Sequence, residues 1–596
     1  MADSNKIKHL LTRWGKDIDR SCPLSEYPRP QLKRDNWLCL NGVWEYAITN
    51  AQLDSSEPVD FDGEILVPFS PECLLSGVDR QLLPGETLWY RREVHFDAVS
   101  PGNRLMLNFG AVDQRCKVYI NGSFVGGHEG GYWPFSFDIN GFIWEGSNIL
   151  TVSVQDDSDK GIEAYGKQTF KRGGIWYTAQ SGIWQTIWAE IVPEQFIISL
   201  KITPHCDSSE VEIELTLAQQ NMVSVDIRIF DESGQVAQSS TDDTVIRIPM
   251  GDFKYWSPDK PFLYTLKITA GADEVESYFG MRQFGINNGR LTLNGEPIFH
   301  NGLLDQGYWS DGMLTPPDDE AMIWDIAQIK KLGFNMLRKH IKIEPLRWYY
   351  HCDRLGVLVW QDFVSGGGPY GGLISRYLPF IGVHLKDECT RCGFGRGFGR
   401  GFGRTDFKSR IVFKRDLIRT VDLLNSVVSL CVWVPFNEGW GQFDANKLTN
   451  RLRLLDSTRP IDHASGWHDQ GGGDFKSYHV YYKKFRFRSD NKKRVQALTE
   501  FGGYSCPAEG HMVSDRLFGY RVYETEQALM DALKGLYESE VIPHVENGLS
   551  AAIYTQLSDV EDEINGIFTF DRAVQKVDTE VMLKINRSLM EGQGVV

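Results

Sequence analysis

Val428-Ser429-Leu430-Cys431-Val432-Trp433-Val434-Pro435-Phe436-Asn437-Glu438-Gly439-Trp440 is an apolar run that stops abruptly at an asparagine, a glutamate and a glycine. A short run of this kind suits a strand buried on both faces, as in a parallel sheet. Its neighbours read differently: 407–424 before it and 442–455 after it carry helical periodicity. The alternation continues outward in both directions. Strand candidates are 298–301, 334–338, 357–361, 428–435, 461–464, 478–481, 496–499 and 551–555; further helical patterns cover 318–332, 344–355 and 525–542. Eight strands, each followed by a crossover, predict a (β/α)8 TIM barrel over 285–596. Its fifth and sixth connections read least clearly as helix.

Upstream the period changes to two. Between Trp37 and Pro193 short alternating strands are separated by turns, and Asn121-Gly122 between Lys117–Ile120 and Phe124-Val125 predicts a hairpin. This spacing predicts an N-terminal β-sandwich of the jelly-roll kind over 1–193. A second β-rich block, 194–284, includes Val211–Leu215, Val223–Ile229 and the corner Trp256-Ser257-Pro258, and suits an immunoglobulin-like β-sandwich.

The composition sets outer limits. The chain has 596 residues, 63 Lys+Arg against 79 Asp+Glu and a net charge of −16. An acidic surface repels phosphates, so no nucleic-acid partner is expected. No apolar run reaches membrane-spanning length, and Met1–Lys6 does not open a signal peptide. Ten sparse cysteines, several in apolar surroundings, fit reduced thiols, so a soluble, cytoplasmic enzyme is expected. The tetrapeptide Gly-Phe-Gly-Arg occurs three times in Gly393–Arg404. Sequence so rich in glycine reads as a mobile surface loop or an arginine-bearing gate. Cys389 and Cys392 beside it form a lone Cys-x-x-C, a weak zinc signal without a second pair.

Two barrel strand ends carry the chemistry: Asn437-Glu438 after the fourth candidate and Glu500-Phe501-Gly502 after the seventh. Strand C-termini hold the reactive residues of such barrels. Two carboxylates facing one mouth are the machinery of glycoside hydrolysis, one kept protonated by its neighbour and the other ionised. Their separation decides the stereochemistry: ~5–5.5 Å for retention and ~6.5–9.5 Å for inversion.

With these motifs in view the whole chain resembles glycoside hydrolase family 2, which includes β-galactosidases, β-glucuronidases and β-mannosidases. The resemblance rests on Gly182-Ile183-Trp184, Trp256-Ser257-Pro258, Leu293-Asn294-Gly295-Glu296-Pro297, Gly333-Phe334-Asn335-Met336-Leu337-Arg338 and the two glutamate motifs. It implies a retaining exo-β-glycosidase acting on an oligosaccharide or glycoconjugate, with β-galactosidase the leading specificity. β-Galactofuranosidase, uronidase, β-mannosidase and an inactive carbohydrate-binding protein are the alternatives. It makes Glu438 the acid/base and Glu500 the nucleophile. It also implies that Asn437 binds the 2-hydroxyl, Arg338 keeps the nucleophile ionised, and Tyr481 (or Tyr482) donates to it. His340 and His479 are candidate sugar contacts, and so is Trp440, which flanks Glu438. Trp176, in a first-domain loop, is a candidate stacking residue.

Departures from the family pattern nominate others. Asn301–Trp309 lacks the family's Asn-x-His-Glu motif, which brings in Asp305, Gln306 and Trp309; the stretch after 551–555 nominates Gln556 and Glu561. No asparagine-x-lysine pair for a uronic acid carboxylate stands out. Gln361-Asp362 closes a strand where a metal ligand is expected, but a complete magnesium site cannot be assembled. No metal and no cofactor are therefore expected. Related enzymes often assemble, which leaves homo-oligomers open.

Overall fold

The computed structural model describes residues 8–50, 53, 56–219, 223–387, 402–487, 490 and 493–591. Most of the Gly-Phe-Gly-Arg repeat, with Cys389 and Cys392, lies outside them.

The N-terminal part pairs a six-stranded and a four-stranded antiparallel sheet. The larger runs Gly63–Val67, Gly42–Thr49, Thr87–Phe96, Gly146–Gln155, Arg115–Ile120, Ser123–Glu129 in spatial order. Alternate residues of Arg115–Ile120 are buried, which puts Cys116, Val118 and Ile120 into a core with Trp44, Tyr90, Leu107 and Phe109. Asn121 and Gly122 join this strand to the next with φ of 51° and 77°, the two left-handed residues of a type I′ turn. Next come a three-stranded and a four-stranded antiparallel sheet between Ile197 and Phe279, enclosing Ile213, Ile227, Leu266 and Phe279. A small antiparallel meander, Phe284–Asn287 to Glu296–Pro297, leads into the last part.

That part is built on a seven-stranded parallel sheet. Its spatial order is Leu430–Val434, Leu358–Asp362, Met336–Lys339, His300–Asp305, Leu549–Thr555, Val495–Gly502, Phe475–Val480. Every residue of the Leu358–Asp362, Leu430–Val434 and Leu549–Thr555 strands is buried, as expected for a sheet covered on both faces. Helices cross over between strands, several with a side-chain cap: Asp318 accepts from Glu320 N and Asp406 from Ser409 N.

The sheet curls until its two outer strands face each other across residues 461–465. That segment, expected as a strand, makes only isolated parallel bridges, Trp433 to Ile461 and Asn437 to Ser465. Ile461 N turns instead to the Asp474 carboxylate at 2.8 Å, and Ser477 Oγ reaches Asp462 at 2.9 Å. Side chains thus close the gap that backbone pairing leaves.

The three parts share buried polar contacts. Trp256 Nε1 donates to Asp353 O at 2.7 Å, and Arg34 bridges Glu190 and Asp273. The loop expectation for Gly393–Arg404 falls mostly outside the described residues, and only its end is seen. Arg404 is buried, donates to Ser409 O at 2.7 Å and lies 4.9 Å over the Phe413 ring, because the helix it precedes gives its guanidinium a carbonyl and a ring face. No described helix is long and apolar enough to cross a membrane.

Candidate active site

Glu438 and Glu500 meet at the mouth of the curled sheet. An oxygen of each, with a ring nitrogen of His479, falls within a mutual spread of 4.8 Å. Glu438 follows the Leu430–Val434 strand in a tight turn: its φ is +50°, a left-handed conformation that a residue with a Cβ rarely adopts, and Trp440 N closes the turn on Asn437 O at 2.9 Å. Strain of this kind persists where the surroundings over-determine it and collects at functional sites. Glu438 N donates to Ser465 O at 3.1 Å, so the 461–465 segment holds the turn. Glu500 lies within its own strand, where pairing slips between Leu498 and Phe501 on one side and between Tyr478 and His479 on the other. Such irregularities re-aim side chains beside active sites.

The two carboxyls have unequal surroundings. Arg338 Nη1 donates to Glu500 Oε1 at 3.2 Å, and the Tyr481 hydroxyl donates a short hydrogen bond to Oε2. Tyr481 is held by stacking on Tyr520, centroids 3.7 Å apart. Burial pushes Glu500 up and Glu438 adds to this, while His479, Arg338 and Tyr481 pull it back. Glu438 has one close partner, His479 Nδ1 at 2.7 Å, and burial pushes its carboxyl up to about 8. Burial, rather than the neighbouring carboxylate anticipated from sequence, is the main cause. His479 is itself pushed down to about 4, so at neutral pH the contact joins a carboxylic acid to a neutral imidazole.

A raised carboxyl has a stability consequence. Below the unfolded value of about 4.5 both states are protonated; above it the unfolded chain ionises while folded Glu438 holds its proton to about 8. Folding is therefore penalised increasingly between those limits. Glu438→Gln is expected to raise stability by on the order of 2 kcal/mol at pH 8 and by little at pH 4. Thermal melts at both pH values check this; a gain independent of pH contradicts it.

Arg338 organises the floor. It is fully buried and donates to Asp362 from Nε at 2.9 Å and Nη2 at 3.1 Å, to Asn437 Oδ1 at 2.7 Å and to Thr499 O at 3.1 Å. His340 Nδ1 meets Asp362 Oδ2 at 2.7 Å, and burial holds the imidazole well below its ordinary value. Among the described residues, Asn437 Nδ2 and His340 Nε2 are buried without a protein partner. Asp362, the residue considered for a metal, accepts from Arg338 and His340 through both oxygens, so a cation there has to displace a guanidinium. Among the described residues the metal-type cluster of three is Glu438, His479 and Glu500.

An aromatic wall flanks the pair. Trp440 lies 5.2 Å from Trp176, 6.3 Å from Tyr370 and 6.3 Å from His340 by ring centroids. Trp176 comes from the N-terminal part, whose 167–178 loop is tied to the barrel mouth: Arg172 to Asp562 at 2.6 Å, Tyr177 OH to Glu563 at 2.5 Å and Thr178 N to Glu561 at 2.9 Å. Burial lifts Glu561 to about 7.

Asp305, Trp309, Gln306 and Gln556 do not join the cluster. The first strand pairs as His300–Asp305, so Asp305 ends it, with its carboxylate taken by Lys339 Nζ at 2.6 Å and Gly307 N at 2.8 Å. Trp309 packs 6.0 Å from Trp14 with Arg572 4.2 Å over its ring. Gln306 and Gln556 are joined at 2.8 Å in a chain that continues through Asn565 to Glu563, one layer behind the pair. Tyr482, the alternative to Tyr481, is exposed. Sequence reasoning missed Tyr520 and Asp362's part in holding Arg338. It also missed Lys167, buried with its Nζ 5.4 Å from the Trp440 centroid and 5.7 Å from that of Tyr177. Only its place beside the Gly182-Ile183-Trp184 motif hinted at it. A cavity of about 500 Å³ lined by Leu24, Tyr132, Trp133, Trp184, Pro345 and Leu423 holds none of these groups.

Comparison with known proteins agrees with this layout. The family profile described as “Glycosyl hydrolases family 2, sugar binding domain” matches residues 80–180, and “Glycosyl hydrolases family 2” matches 195–282. Two successive segments of the chain thus match glycoside hydrolase family 2 models. It is similar to a putative beta-glucuronidase of Formosa agariphila, 29% identical over 46% of this chain and 34% of the relative. A beta-galactosidase of Thermoanaerobacter pseudethanolicus is 28% identical over 46% and 39%. These matches thus span less than two thirds of the relatives' own length. In fold the chain resembles a beta-glucuronidase from an uncultured Clostridium, with a TM-score of 0.72, 17% identity and coverage of 94% of this chain and 99% of that one.

Proposed function

We propose that the chain is a retaining exo-β-glycosidase, with Glu500 as nucleophile and Glu438 as acid/base, built as a jelly-roll domain, an immunoglobulin-like domain and a catalytic (β/α)8 barrel. The observation that carries this reading is the pair of buried carboxyls at one mouth, with one oxygen of each within 4.8 Å of the other, a close approach of the kind a retaining pair needs. Unequal surroundings support the division of labour. Two donors face Glu500, favouring its ionised form, whereas Glu438 is held protonated to about 8.

The chemistry then runs in two steps. Glu500 attacks the anomeric carbon while Glu438 protonates the departing oxygen; Glu438, now ionised, draws a proton from water, which releases the sugar from Glu500. The unpartnered Asn437 Nδ2 and His340 Nε2 suit sugar hydroxyls, since buried polar groups need partners. Trp440 and Trp176 offer ring faces for the sugar or its leaving group.

A β-galactoside is the leading substrate from sequence, with β-galactofuranoside, uronide and β-mannoside as rivals. A panel of aryl glycosides of these sugars tests the reading; turnover of none of them, by folded protein, overturns it. Tyr481→Phe is expected to lower kcat/KM about 10- to 100-fold, the worth of one hydrogen bond to a charged oxygen. Stacking on Tyr520 survives the change, so its melting temperature is expected to stay within a few degrees of wild type; equal activity removes Tyr481 from the mechanism.

A further inference from the structure

Lys167 is 6% exposed, yet among the described residues its ammonium makes no hydrogen bond and no ion pair. It rests between two ring faces, Trp440 at 5.4 Å and Tyr177 at 5.7 Å. A buried ammonium is costly unless an anion meets it, and ring faces return only part of that cost.

Among the described residues no carboxylate makes an ion pair with it. Lys167 is close enough to Glu438, Asp362 and His340 to act on their charge. Asp362 is already claimed by Arg338 and His340, and Glu500 by Arg338 and Tyr481. Glu438 is protonated at neutral pH, so it brings no counter-charge.

The backbone that carries Lys167 is anchored to the barrel. Its carbonyl accepts from Tyr177 N at 3.0 Å, and Gln168 beside it binds Asp113 and Tyr132 at 3.1 Å each. Tyr165 N and Gly166 N both donate to Ser365 O. Gly166 has φ +64°, and a Cβ there would come 2.9 Å from Ile341 O, so the loop backbone lies directly against the barrel. A largely buried lysine on an anchored loop, unpaired among the described residues and beside two carboxyls, is suited to meet an anion.

Resting on the glycosidase reading above, we infer that Lys167 reads a carboxylate on the sugar held between Glu438 and Glu500, so that the substrates are β-linked uronides. A uronate carboxylate completes the ion pair that the protein leaves open. The reader comes from the N-terminal part, not from a barrel loop, which is why no lysine-bearing barrel motif is needed.

The test uses the full chain and two substrate pairs that differ only at C6: aryl β-glucuronide against β-glucoside, and aryl β-galacturonide against β-galactoside. Wild type is expected to prefer the uronide of at least one pair. Lys167→Met is expected to lose roughly 10- to 100-fold in kcat/KM on that uronide and to change less than about threefold on its neutral partner, with Lys167→Arg recovering part of the loss. A wild type that prefers both neutral sugars overturns the inference and leaves the glycosidase reading standing. So does an equal loss on both members of a pair with a shifted alkaline limb, the signature of a lysine acting only through Glu438. Calorimetric binding of free glucuronate and galacturonate, against glucose and galactose, decides the matter even where no glycoside turns over. Uronate binding that is no tighter than hexose binding, or that Lys167→Met leaves unchanged, counts against it.

Discussion

Glu500→Gln is expected to lower kcat on every aryl β-glycoside the protein accepts by roughly four to six orders of magnitude, the scale of losing a covalent nucleophile. The amide keeps the size of the carboxylate and an oxygen for Arg338 or Tyr481, so the fold has little reason to change. It removes the negative charge and lone pair that attack the anomeric carbon. It also leaves Arg338 with Asp362 as its one carboxylate partner. The measurement is steady-state turnover beside a thermal melt. A folded variant within tenfold of wild type shows that Glu500 is not the nucleophile.

Glu438→Gln has a different signature. Glycosides with poor leaving groups are expected to lose about 10²- to 10⁴-fold, because their oxygen departs only when protonated. Activated leaving groups, such as dinitrophenolate, need no proton, so their first step is expected to survive while release of the sugar slows. The pH profile provides an independent check. Wild-type kcat/KM is expected to fall above about 8, as the Glu438 proton is lost, and to fall on the acid side as Glu500 is protonated. The variant has no such carboxyl, and its alkaline limb is expected to vanish. An unchanged limb assigns the acid elsewhere.

Much of the site was legible because its residues end apolar strands, where polar groups are conspicuous. Glu438, Asn437, Arg338, His340, His479, Glu500 and Tyr481 stand at or near four strand ends, and the structure gathers all seven around one mouth. Asp305 and Trp309 were misplaced by one glycine. Gly302 reads as the end of a strand, but it lies inside one: a Cβ there would come 2.4 Å from Met336 O, so its bareness lets neighbouring strands approach. The strand therefore runs on to Asp305, whose carboxylate turns to Lys339.

The 461–465 segment was overcalled for a related reason. Its short apolar stretch suits a strand, but Asp474 and Ser477 side chains take hydrogen-bonding roles that a ladder would otherwise fill. The resemblance places the loop of Lys167 near the barrel mouth, but nothing in the loop itself says that this lysine packs against Trp440. Only tertiary packing makes that lysine buried and unpaired. Arg404 shows the converse, since glycine-rich sequence around it hides a buried guanidinium.

The central claim, double displacement through Glu500, is tested most directly by trapping. The protein is incubated with an activated 2-deoxy-2-fluoro glycoside of whichever sugar it turns over, digested and mapped by mass spectrometry. The prediction is one fluorosugar per chain, carried by the peptide that contains Glu500, formed in step with loss of activity. Inactivation with the label on another residue, or turnover that releases the inverted anomer with no adduct, contradicts the account.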